Sequence, residues 1–170
     1  MIEIKQVSFT YDNATNGTAI RDINVQIPKG QIVLLCGESG SGKTTFSRLI
    51  NGLIPAYYDG DLNGRVMVSQ KDTSKVELHE LAPVIGSVFQ NPKSQFYTLL
   101  TDTEIVFACE NIGMERTDIL DRFNSTVDSL HIEKLIGKSL FALSGGEKQK
   151  IACASVNALM PDVFVLDEPT

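Results

Sequence analysis

The chain has 170 residues, 42% of them hydrophobic and 21% charged, which is the composition of a globular protein long enough to bury one sizeable core. Its net charge of −6 argues against a nucleic-acid partner, which would favour a basic surface. No apolar run approaches the roughly 18 residues needed to span a bilayer, and Met1–Gln6 lacks the basic-then-apolar pattern of a secretory leader, so a cytoplasmic protein is expected.

In chain order, Ile2 to Tyr11 alternates apolar and polar residues, but the parity switches between Ile4 and Val7, which predicts a bulged strand. Asp12 to Gly17 reads as a loop. Alternation through Ile23, Val25 and Ile27 predicts a second strand, and Gln31–Cys36 a third, buried one. Thr45 to Gly52 carries a helical stripe of Phe46, Leu49 and Ile50. Pro55 to Asn63 reads as a surface loop, Gly64–Ser69 and Val84–Phe89 as strands, and Glu77–Leu81 as one helical turn. Thr101–Met114 and Asp118–Leu130 have helical stripes of Ile105, Ala108, Cys109 and Ile112, and of Ile119, Phe123, Val127 and Leu130. Asp102 and Asp118 are the expected N-caps. A further helix over Glu147–Leu159 leads into Val163–Leu166, read as a strand buried on both faces. Cys36, Cys109 and Cys153 lack metal-ligand spacing and are expected to be buried thiols. His79 and His131 are isolated, which argues against a metal site built on them.

Three stretches carry chemistry. Gly37, Glu38, Ser39, Gly40, Ser41, Gly42, Lys43 and Thr44 match the phosphate-binding P-loop pattern, between a predicted strand and a predicted helix. The glycines let successive N–H groups turn inward, the helix start adds its positive dipole end, and Lys43 supplies a mobile charge. The Thr44 hydroxyl suits Mg²⁺. Asp167 and Glu168 directly follow an apolar strand. In a phosphate site, Asp167 would hold Mg²⁺ and Glu168 would polarise the attacking water. Leu143-Ser144-Gly145-Gly146-Glu147 is a helix start that offers amides and a hydroxyl to an anion, and it also reads as a capping box between Ser144 and Glu147.

Together these residues resemble the ATP-binding cassette (ABC) ATPases. Gly37–Thr44 is similar to the family's Walker A motif, Gln90 to its Q-loop glutamine, Leu143–Glu147 to its signature sequence, and Val163–Glu168 to Walker B with the catalytic glutamate. Tyr11 stands where the family places an adenine-stacking aromatic. The resemblance implies an α/β fold: a P-loop NTPase core with a mostly parallel sheet and helices, an antiparallel β region and an inserted helical subdomain. The expected division is a nucleotide-binding core of 1–90 with 144–170, and a helical subdomain of 91–143.

It further implies an ATPase with ATP and Mg²⁺ as cofactors. Gly37 to Thr45 would bind nucleotide together with Tyr11. Lys43, Gln90 and Glu168 would be catalytic, and Thr44, Gln90 and Asp167 would surround Mg²⁺. Ser144, Gly145, Gly146 and Glu147 would meet the ATP held by a second ABC subunit in a head-to-tail homo- or heterodimer. Glu147 stands where the family often has Gln, and Lys150 where it often has Arg. The family continues past Walker B to a further strand and a switch histidine, so an amino-terminal part of a longer ATPase is expected, and it is expected to be a poor enzyme by itself.

A finer resemblance, carried by Gln90-Asn-Pro-Lys-Ser-Gln-Phe96 and Thr103–Gly113, is to the ATPase of energy-coupling factor importers of vitamins or transition-metal ions. It implies membrane-embedded partner subunits, a peripheral place on the inner face of the cell membrane, and a partner-facing surface at Gln95 and Phe96. The alternatives are a soluble ABC-type ATPase acting on DNA or ribosomes, and a nucleotide-binding module without turnover.

Overall fold

The computed structural model describes residues 1–12, 17 and 19–168. Most of the loop expected over Asp12–Gly17 lies outside the described residues. The chain divides into two compact units, Met1–Ile85 and Gly86–Thr170.

The first unit is built on a four-stranded antiparallel sheet in the order β2 (Ile20–Ile27), β1 (Ile2–Tyr11), β3 (Gly60–Val68), β4 (Lys71–Asp72). The expected irregularity in β1 is present: the register shifts between Ile4 and Val7 on the β2 side and between Lys5 and Ser8 on the β3 side. Gln6 takes up a φ of 50° there, and its freed amide donates to Asn24 Oδ1 at 2.9 Å. The bulge resets the alternation, so Ile2, Ile4, Val7 and Phe9 are all buried despite their change of parity. β3 begins four residues earlier than predicted, because Gly60–Asn63 pair with Ser8–Tyr11.

Against this sheet unit lie helix α1 (Lys43–Ile50), the single turn α2 (Leu53–Ala56) and the short helix α3 (Leu78–Leu81). Leu49, Ile50, Ile54 and Leu81 are buried. The Thr73 hydroxyl donates to Leu49 O at 3.2 Å and so occupies one of the carbonyls left open near the end of α1. A capping box between Glu77 and Glu80 starts α3.

The expected strand over Gln31–Cys36 does not form. The segment belongs to no ladder among the described residues, and Ile32, Val33, Leu34 and Leu35 are exposed, Ile32 fully so. A strand is defined by its neighbour: β-branched residues favour the conformation, but without a partner the N–H and C=O groups stay with solvent. Cys36 is therefore exposed, against expectation, whereas Cys109 is buried and Cys153 half-buried. Burial pushes both of the latter thiols upward in pKa.

In the second unit, strands β5 (Ile85–Val88) and β6 (Val163–Leu166) form a two-stranded sheet, accompanied by helices α4 (Thr101–Asn111), α5 (Arg116–Leu130) and α6 (Gly145–Asn157). One core cluster joins Ile105 and Cys109 of α4, Val127 of α5, Ile151 and Ala154 of α6, and Ile132, Leu135, Leu140 and Leu143 of the connection. A second joins Val88, Ala152 and Val156. The Thr101 hydroxyl, fully buried, donates to Leu135 O at 2.8 Å and ties the start of α4 to the segment before α6.

Three sequence expectations are corrected here. Asp102 and Asp118 are not N-caps; Leu100 and Glu115 hold those positions, and the two acids sit in the first turns, where they face the positive dipole ends. Ile112 lies past the end of α4 and is exposed. β6 is not buried on both faces, since Phe164 and Leu166 are about half exposed.

Candidate functional site

Two sets of residues carry the candidate chemistry, one in each unit. In the first, Gly42 caps α1 with a φ of 93°, and Gly40 has a φ of 81°. Only glycine adopts such values without strain, and they curl Gly37–Gly42 ahead of the helix. The start of α1 has no capping side chain and no acidic residue in its first turn. Its leading N–H groups and dipole end are thus left open to an anion.

Lys43 Nζ lies over this loop and donates to Gly37 O at 2.9 Å and Glu38 O at 2.7 Å. The ammonium needs only to exchange two exposed carbonyls for phosphate oxygens. Thr44 and the whole of Gly37–Ser41 are exposed, whereas Thr45 is buried. These features fit a polyphosphate: an uncapped helix start, one mobile cation, and no competing carboxylate on the helix.

Tyr11 stands beside α1. Its hydroxyl lies 3.1 Å from Thr45 Oγ1 and accepts from Arg48 Nη1 at 3.0 Å. The Arg48 guanidinium in turn sits 4.0 Å over the Tyr58 ring, and the Tyr11 ring meets Phe9 and Tyr58 edge to face. Arg48 and Tyr58 carry no signal in the sequence. Only their proximity in space links a helix position to a residue read as loop.

In the second unit, Gln90 follows β5 and Asp167 and Glu168 follow β6. Asp167 N donates to Val88 O at 2.9 Å, which aligns the ends of the two strands. Gln90 Nε2 donates to Glu168 Oε2. Gln90 Oε1 makes no hydrogen bond among the described residues, so an acceptor remains free beside the Glu168 carboxylate.

Ser144 caps α6 in the predicted capping box. Ser144 N and Oγ donate to Glu147 Oε2 at 2.8 and 2.7 Å, and Glu147 N donates back to Ser144 Oγ at 3.4 Å. The bonds from the Ser144 hydroxyl and amide hold the Glu147 carboxyl below its ordinary pKa. Ser144, Gly145 and Gly146 are exposed, and the space around both glycines is open. The helix start is therefore accessible to a ligand from outside.

Gln95 and Phe96, expected on a partner-facing surface, both turn inward: Phe96 packs against the core clusters and Gln95 bonds to the backbone at Ser87 of β5 and at Phe89 just past it. Tyr97, Leu99 and Leu100 are the exposed apolar residues of this stretch.

The family model described as ABC transporter matches residues 20–170. The chain belongs to the ABC transporter ATP-binding family. Among related ABC proteins, one from Treponema denticola, assigned as an ABC transporter ATP-binding protein, is 48% identical over all 170 residues, which span 35% of its own length. Another with the same assignment, from Pyrococcus abyssi, is 40% identical, with the chain spanning 60% of it. The ABC chain thus covers between about a third and three fifths of these two relatives.

Solved ABC structures agree on the fold. Protein cbiO1 of Clostridium perfringens, part of the ABC transporter complex cbiONQ, superimposes with a TM-score of 0.85 at 28% identity, covering 99% of this chain and 65% of that one. The ATP-binding cassette MJ0796, solved as a dimer in a post-hydrolysis state with ADP and Pi, gives 0.78 at 27% identity, covering 100% and 75%. No helix among the described residues is long and apolar enough to cross a membrane.

Proposed function

We propose that this ABC chain binds and hydrolyses ATP to power an importer, of the energy-coupling factor type, for a vitamin or a transition-metal ion. The observation that carries the nucleotide reading is Lys43 lying over an exposed glycine loop ahead of an uncapped, acid-free helix start. In this reading Gly37–Thr45 hold the phosphates and Tyr11 meets the adenine. Thr44, Asp167 and the free amide oxygen of Gln90 would hold Mg²⁺, which supplies charge neutralisation at the phosphates. Glu168 accepts the proton of the attacking water, positioned with Gln90. Residues 1–90 with 144–170 would act as the nucleotide-binding core and 91–143 as the helical subdomain.

The exposed start of α6 supports a second role, in which Ser144, Gly145, Gly146 and Glu147 contact ATP held by a paired ABC subunit. The dimeric state of the MJ0796 structure supports such pairing. The importer reading is supported by the likeness to cbiO1, part of the cbiONQ complex, and by the Asn91-Pro-Lys-Ser-Gln-Phe96 run. It implies membrane-embedded partner subunits and a place at the inner face of the cell membrane.

The test is reconstitution of the full-length protein with its membrane subunits in proteoliposomes. ATP-dependent solute uptake that disappears in Lys43→Ala supports the reading. ATP turnover that no membrane subunit stimulates, with no uptake, would favour a soluble ATPase.

A further inference from the structure

We propose that Gln95 is a positioning residue that sets where Gln90 sits, by standing in for a neighbouring strand along the edge of β5. The inference rests on the reading above, in which Gln90 and Glu168 act at the phosphate.

The primary amide of Gln95 makes two hydrogen bonds to the backbone, one in β5 and one at the residue directly after it. Its Nε2 donates to Ser87 O at 3.2 Å, and its Oε1 accepts from Phe89 N at 3.3 Å. Ser87 O and Phe89 N flank Val88 along one edge of the strand. A paired strand would engage them with one residue's N–H and C=O, and a side-chain amide carries the same donor and acceptor. Val88 O is taken by Asp167 N, the residue directly after β6, at 2.9 Å. The last turn of backbone before Gln90 is therefore fixed by bonds at three consecutive residues.

The intervening residues explain how position 95 returns to 87–89. Asn91 Oδ1 accepts from Lys93 N at 3.1 Å, and Pro92 opens a single 3₁₀ turn, Pro92–Ser94. Ser94 Oγ donates to Asn91 O at 2.8 Å and Gln95 N to Pro92 O at 3.1 Å. This tight turn delivers the Gln95 side chain back to the strand it left. With Ser87–Phe89 held, Gln90 projects to one place, where its Nε2 reaches Glu168. Glutamine suits the task because Glu has no donor for Ser87 O and Ala leaves both groups unpaired.

The test uses the full-length protein carrying Gln95→Ala, Gln95→Glu, Gln90→Ala, or Gln90→Ala with Gln95→Ala. With glutamine side chains labelled by ¹⁵N and no nucleotide present, both Gln95 variants should shift the Gln90 side-chain amide resonance, and an unmoved resonance would overturn the proposal. In ATP turnover, Gln95→Ala should lower kcat by about tenfold while leaving the affinity for ATP within about twofold. It should lower kcat no further when Gln90 is already alanine. Independent, multiplying losses in the double variant would overturn the proposal. A wild-type protein that turns over no ATP would overturn the ATPase reading instead, and the resonance shift would still decide the role of Gln95.

Discussion

Gln90 and Glu168, 78 positions apart, are joined by a hydrogen bond from the Gln90 amide to the Glu168 carboxylate. The bond lies just past the ends of β5 and β6, so the Glu168 carboxylate is held by a neutral donor rather than by a cation. In the proposed mechanism, replacing the Glu168 carboxylate by an amide removes the base and keeps the side chain's shape. Glu168→Gln in the full-length protein is therefore expected to bind MgATP as the wild type does while turnover falls by about 10² or more. Turnover at the wild-type rate would remove Glu168 from the role of base.

A stability prediction follows from the β3–β4 hairpin. Asp72, 7% exposed, accepts from Arg65 Nε at 2.8 Å and from Ser74 Oγ at 2.8 Å. Burial pushes its carboxyl up, but the bonds from Ser74 and Arg65 together outweigh this and hold its pKa below the ordinary value. A depressed carboxyl stabilises the fold above its unfolded pKa of about 3.9, and the contribution is lost as pH falls through the folded value. Arg65→Ala should therefore cost about 1 kcal/mol at neutral pH, the half-exposed guanidinium keeping the figure modest, and progressively less in acid. Urea midpoints at several pH values will show this; an equal loss at all of them would contradict it.

Gly86 sits in β5 where an added Cβ would run into a Val156 methyl of α6 and the Pro161 ring. Gly86→Ala should cost about 1–3 kcal/mol through overpacking, seen as a lower denaturant midpoint. An unchanged midpoint would mean that α6 yields more easily than its packing suggests.

The features legible in the sequence were those set by neighbours along the chain. The parity change between Ile4 and Val7 announced the bulge, and the spacing of Ser144 and Glu147 announced the capping box. The P-loop pattern is legible because Gly40, Gly42 and Lys43 lie within one short stretch of backbone. What escaped depends on partners distant in sequence. Ile32–Leu35 have strand-forming side chains but no ladder, and exposure of Phe164 and Leu166 is likewise invisible in a continuous apolar run. Asp102 and Asp118 read equally well as caps or as first-turn residues, because acids favour both positions and composition alone does not separate the two. The Gln95 bonds to β5 and the Arg48 contacts with Tyr11 and Tyr58 have no periodicity to betray them.

In the proposed site Gly37–Thr44 hold the phosphates of ATP, with Lys43 supplying the charge. Calorimetric titration of the full-length protein with MgATP, wild type against Lys43→Ala, tests it most directly. Saturable binding by the wild type is expected, with a loss of about 1.5–3 kcal/mol in the variant, roughly 10- to 100-fold in affinity. Superimposable isotherms for the two proteins would contradict it.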